Sequence, residues 1–128
     1  MKKSGLALLC LVTIAMIILT ACGVKTFKLE NISRIELSDG TTGSVVEITD
    51  IEQIQAITKP FISSGFKKGQ SSSSSTGWSY RLKFFQDEKL VADIIVMSEV
   101  RISFEGYFYE IENGTIDINY LDSILNRI

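Results

Sequence analysis

Between residues 78 and 84 the chain alternates without a break: Trp78, Tyr80, Leu82 and Phe84 are apolar, and Ser79, Arg81 and Lys83 are polar. Period two marks a strand with one buried face and one wet face. Val100, Ile102 and Phe104 alternate in the same way with Arg101 and Ser103. Between these runs, Gln86-Asp87-Glu88-Lys89 is a turn by composition, and Leu90 to Met97 is apolar almost throughout, as a central strand would be. Glu105-Gly106 then separates the third run from Tyr107-Phe108-Tyr109-Glu110-Ile111, which predicts a two-residue hairpin. Upstream, Ile32, Ile35 and Leu37 predict a strand over 31–37. Ser38 to Gly43 turns, and Ser44 to Ile48 returns as a second strand. Phe66-Lys67-Lys68-Gly69 is a candidate third strand.

Two segments change to the helical period. Thr49-Asp50-Ile51-Glu52 reads as a T-x-x-E capping box, and Ile51, Ile54, Ile57 and Phe61 follow on one face. Pro60 is expected to kink this helix or end it near Thr58, with Gly65 as the stop if the helix continues. After a turn at Glu112-Asn113-Gly114, Asp117 is placed to cap a last helix with the apolar stripe Ile118, Leu121, Leu125 and Ile128. These elements predict an α+β fold, mainly an antiparallel sheet with two helices packed on one face, in the order ββα-ββββ-α. Residues 70–77 hold a five-serine run that buries nothing and reads as a flexible connection within a single domain spanning 30–128.

The N-terminus obeys neither period. Lys2 and Lys3 precede an apolar stretch from Leu6 to Leu19 broken by Thr13, and small residues lead into Cys22. Charged, apolar and cleavage regions in that order form a secretory signal. The stretch falls short of the roughly 20 residues a membrane-spanning helix needs, and no positive cluster follows it directly, so cleavage is expected over a permanent span. Leu19-Thr20-Ala21-Cys22 resembles the lipobox of bacterial lipoproteins. That resemblance implies cleavage after Ala21, a diacylglycerol thioether on Cys22, and residence on the extracytoplasmic face of the cell membrane, or of an outer membrane in a Gram-negative host. Residues 22–29 are then expected to be a tether. Two or three acyl chains anchor stably where one chain is marginal.

Removing residues 1–21 from the 128 leaves 107, enough for one domain with one core. Lys2 and Lys3 leave with the signal, so the 13 basic residues become 11 against 15 acidic, a net of −4. The mild, dispersed charge excludes a nucleic-acid surface and predicts no polybasic patch to add membrane affinity. Cys10 leaves with the signal and Cys22 takes lipid, so no disulfide or thiolate ligand is expected. Histidine is absent, which removes the usual neutral-pH base and the commonest transition-metal ligand. No metal, cofactor or catalytic residue is expected. The Glu110 to Asp117 stretch is rich in oxygen ligands but lacks the spacing of a calcium loop.

Two groups carry candidate chemistry. Trp78, Tyr80, Tyr107, Phe108 and Tyr109 could form a binding face or fill the core. Alternation opposes Phe108 to Tyr107 and Tyr109; the expected exposed pair is Tyr107 and Tyr109, with Arg81 nearby. The binding surface is therefore placed on Trp78, Tyr80, Arg81, Tyr107 and Tyr109. Glu110 and Glu112 share a strand face, the minimum for a carboxylate-dependent hydrolase of envelope sugar or peptide.

The strings at Ile32–Gly40, Gly77–Tyr80 and Tyr107–Ile111 also resemble small lipoproteins of unknown function common in Gram-positive bacteria. The likeness implies a surface-anchored, non-enzymatic protein and carries no site. The expected function is a membrane-anchored binding module for an envelope protein or cell-wall ligand. The alternatives are the small hydrolase and an accessory subunit of a membrane complex.

Overall fold

A computed structural model describes residues 24–72 and 79–126. The predicted signal and cleavage site at Ala21 and Cys22, Trp78, most of the serine run and Ile128 lie outside the described residues. Eight strands form one antiparallel sheet: β1 (Val24–Lys25), β2 (Arg34–Asp39), β3 (Val45–Ile48), β4 (Phe66–Ser71), β5 (Tyr80–Gln86), β6 (Lys89–Val96), β7 (Arg101–Phe104) and β8 (Tyr107–Ile111). Two helices, α1 (Ile51–Ser63) and α2 (Ile118–Leu125), complete an α+β fold that follows the predicted ββα-ββββ-α order with β1 added at its start and β4 after α1.

The spatial order is β1-β4-β8-β7-β6-β5-β2-β3. β5 to β8 form the predicted meander, closed at the β7–β8 corner by Glu105 (φ 50) and Gly106 (φ 84). Both turn residues are left-handed, as a twisted two-residue hairpin demands. Long connections link the two sides of the meander. The chain leaves edge strand β3, passes through α1 and re-enters at β4 on the far side.

One face of the sheet is the core. Ile35, Leu37, Ile48, Leu82, Phe84, Ile94, Val96, Ile102 and Phe66 are almost fully buried against Ile54, Ile57 and Phe61 of α1 and Leu121, Ile124 and Leu125 of α2. Register makes this possible: Leu37 pairs with Leu82, Leu82 with Ile94, and Val96 with Ile102, so alternate residues stack on one side.

The segment expected to be a tether is part of the fold. Val24 and Lys25 pair with Lys67 and Phe66 of β4, and Phe27 and Leu29 are buried. Phe27 sets its ring edge-on to Phe61, Phe66 and Phe104 at 5.1–6.0 Å. A short segment with alternate apolar residues is too small to hold structure alone, yet it stays ordered where a sheet edge and an open core receive it. The strand predicted from Asn31 begins at Arg34, because Asn31 takes φ 55 and breaks extension.

The helix ends also move. Asp50, not Thr49, caps α1, accepting the N–H groups of Glu52 at 2.8 Å and Gln53 at 3.2 Å; Ile51 therefore falls off the apolar face and is 60% exposed. Pro60 does not end the helix, which runs to Ser63 because Phe61, one residue on, is wholly buried. Packing of an apolar face outweighs the lost N–H. Gly65 lies beyond the helix, whose cap is Ser64 in extended conformation. A side chain at Gly65 would meet Val24 and Glu112 at 3.0 Å, so tight packing is its role. Asp117 caps α2 as predicted, accepting the Tyr120 N–H at 3.0 Å. Asp50→Ala is expected to cost about 1 kcal/mol and lower the thermal midpoint by about 4–8 °C. A circular-dichroism melt checks this; an unchanged midpoint would mean water replaces the cap.

Candidate functional site

Alternation in β8 decides which aromatic residues are available. Tyr109 pairs with Ile102 on one side and Lys68 on the other, on the core face, and is 8% exposed. Tyr80 pairs with Val96 on the same face, is 7% exposed, and donates its hydroxyl to the Asp122 carboxylate of α2. Neither is a contact surface. Tyr107 is 41% exposed, so one member of the expected exposed pair is accessible. The expectation failed for Tyr109 because it faces the core beside Ile102 and Phe104. Phe27 covers Phe104, whose ring lies 6.4 Å from that of Tyr109.

Arg81 is not near Tyr107. It lies on β5, three strands from β8 and so roughly 14 Å across the sheet. Its guanidinium is clamped to Asp93 on β6 by two bonds, 2.9 Å from Nε and 2.6 Å from Nη2. That pairing raises the Arg81 pKa, against the opposing cost of desolvation. A bidentate clamp of this kind leaves the guanidinium committed within the sheet.

The structure instead builds a groove of about 420 Å³ on the open face, over β4, β8 and β7. A bulge creates it. Lys68 pairs with Tyr109 and Ser71 with Tyr107, so Gly69 and Gln70 both stand opposite Phe108. The extra residue bends the edge strand and opens space above the Phe108 ring. The Gly69 α-carbon lies against the Phe108 carbonyl, where a side chain would sit 3.4 Å from that oxygen. Lys67, Lys68, Arg101 and Glu110 complete the walls. Arg101 bonds Glu110 at 2.9 Å, and its guanidinium stands 5.5 Å from the Phe108 ring centre.

The rim continues around the sheet edge onto the other face. Lys68 Nζ lies 3.8 Å from the Tyr107 ring centre, and Lys25 Nζ lies 4.9 Å from Phe104 and 5.2 Å from Phe27. Cations over aromatic faces are held in place at about 0.5–1 kcal/mol each when exposed. Lys67, Lys68 and Arg101 thus line one groove on the open face, and Lys25 stands on the other face of the same end of the sheet, in a chain whose charge looked dispersed. Only Lys67-Lys68 were adjacent in sequence; Lys25 and Arg101 join through strand pairing, which no linear charge count displays.

The arrangement suits binding of an anion or a flat apolar group more than bond cleavage. Glu110 and Glu112 are both exposed, and Glu110 is engaged by Arg101. A carboxylic acid that donates a proton near neutral pH wants an apolar enclosure. Among the described residues, no group of three or more His, Cys, Asp or Glu side chains could hold a metal ion, and no helix is long and apolar enough to cross a membrane. The chain matches no family model, no curated protein and no solved structure.

Proposed function

We propose that this protein is a lipid-anchored, non-enzymatic binding module on the extracytoplasmic face of a bacterial membrane, with the groove at the bulged β4–β8–β7 edge as its contact surface. The observation that carries the reading is the distance in sequence between anchor and fold. Cys22 of the lipobox stands two residues before Val24, the first residue of edge strand β1. No long tether intervenes, so the acyl chains hold the domain against the bilayer rather than at the end of a leash. The exposed cation and aromatic groups of the groove lie on the strands next to that attachment point.

Growth with an alkynyl fatty acid tests the anchor. The wild-type chain is expected to take the label and to sediment with membranes, with a mass matching cleavage after Ala21 and a diacylglycerol on Cys22. In Cys22→Ala the label is expected to vanish and the signal to remain uncleaved. Equal labelling of the two chains would sink the reading. For the binding role, cross-linking in intact cells provides the second arm: Phe108→Ala is expected to weaken capture at the groove while Tyr80→Phe leaves it intact.

A further inference from the structure

We propose that the β1–β4 edge faces the membrane, and that Lys25, Lys67, Lys68 and Arg101 hold it there by binding anionic headgroups of the bilayer. The proposal rests on lipid anchoring at Cys22 and adds an orientation and a ligand to it.

Reach is the first argument. Two residues of extended chain span at most about 7 Å, so the Cys22 backbone stays that close to Val24, which pairs with Lys67. Any bilayer that takes the acyl chains is therefore within side-chain distance of the lysines on β4. Charge is the second argument. The chain after Ala21 carries 15 acidic and 11 basic residues, yet this edge presents four cations against three acidic neighbours: Glu110 on Arg101, Glu112 beside Val24, and Glu105 at the β7–β8 turn. An anionic surface attracts that edge and repels the remainder. Each cation near such a surface multiplies binding by roughly fivefold, so a net excess of one biases orientation by about fivefold.

The third argument is the form of the edge. Tyr107 is 41% exposed and Val24 50% exposed, and tyrosine rings favour the headgroup level of a bilayer. Lysines on an edge strand also block edge-to-edge pairing of sheets. That role would account for Lys68, beyond the reach of β1, but not for Lys67, which pairs with Val24. It does not require Arg101, which lies two strands inward, or Lys25, which is partly buried against Phe104.

The test uses the mature lipidated chain in two kinds of vesicle, phosphatidylcholine alone and phosphatidylcholine mixed with phosphatidylglycerol. A water-soluble amine-acylating reagent is added, and labelling is read by peptide mass spectrometry at Lys67 and Lys68. Lys83 and Lys89, on β5 and β6, serve as internal references. Labelling of Lys67 and Lys68 is expected to slow about fivefold in the phosphatidylglycerol vesicles and to recover in high salt. In Lys67→Gln/Arg101→Gln the protection of Lys68 is expected to shrink. Equal rates in both vesicles, with the chain still bound and carrying its diacylglycerol mass, would overturn the orientation alone. A chain without that mass overturns the anchor, and the orientation with it. Protection in phosphatidylcholine vesicles on addition of free glycerol phosphate would make the groove a small-anion site and also overturn the proposal.

Discussion

Phe61→Ala is expected to destabilise the domain by about 3–5 kcal/mol, lowering the thermal midpoint by about 15–30 °C. Phe61 has no exposed surface, stacks on Phe66 at 5.8 Å, and meets Phe84 and Phe27 edge-on at 5.8 and 6.0 Å. Truncation leaves a void among three rings, from β4, β5 and the segment after β1, and the strands cannot close it without moving. A loss of this size is a large share of the roughly 5–15 kcal/mol that holds a domain folded. The effect should reach the β1–β4 edge, because Phe66 opens β4 and Phe27 follows β1. Hydrogen exchange of the Val24–Lys25 and Phe66–Lys68 amides is therefore expected to rise more than that of the β2–β3 amides. A melt displaced by under about 5 °C would show that the ring cluster contributes little beyond the area it covers.

Tyr80 supplies the second large effect, and it appears at high pH. Burial first, and then its bond to the Asp122 carboxylate, push the Tyr80 phenol up to about 12. The neutral phenol is thus favoured in the folded chain over an unfolded value near 10. Between those values the folded state holds the proton that the unfolded state has released. The contribution is accordingly full below about pH 10 and is lost as pH rises through about 12, amounting to at most about 2–3 kcal/mol. Denaturant titrations at pH 8 and pH 11.5 should show a steeper loss in the wild type than in Tyr80→Phe, which has no proton to lose. Tyr80→Phe is also expected to cost about 1–2 kcal/mol at pH 7, since it removes the bond joining β5 to α2. Parallel pH profiles for the two chains would refute the assignment of the alkaline loss to this phenol.

Much of the fold could be read along the chain because its strands obey the period-two rule strictly. The meander from Tyr80 to Ile111 and its Glu105-Gly106 corner emerge from local patterning, as do the Asp117 cap and the existence of α1. Failures occurred where a local signal competed with a distant one. Pro60 has a strong local veto, yet burial of Phe61 carried the helix past it. Val24 to Leu29 lacks the length to specify a strand or a helix, and it became structured because β4 offered a free edge and the core lacked a lid. Alternation grouped Tyr107 with Tyr109 but does not say which face of β8 meets the core; Tyr109 packs beside Ile102 and Phe104, and only Tyr107, at the strand's start, stays exposed.

The candidate site shows the same division. Glu110 and Tyr107 stood out by type and place, and Phe108 was correctly opposed to its neighbours. The groove itself could not be foreseen, because it depends on a bulge that sets Gly69 and Gln70 together against Phe108. Nor could the basic edge, whose four cations come from positions 25, 67, 68 and 101.

By itself the sequence determined the α+β class and most of the element order, because periodicity is a local property of a chain. The tertiary structure alone decided which tyrosines are covered, where the charges meet and which strand Val24 and Lys25 join. Those depend on strand order and register, and a residue's neighbours across a sheet are chosen by the packing of the whole core.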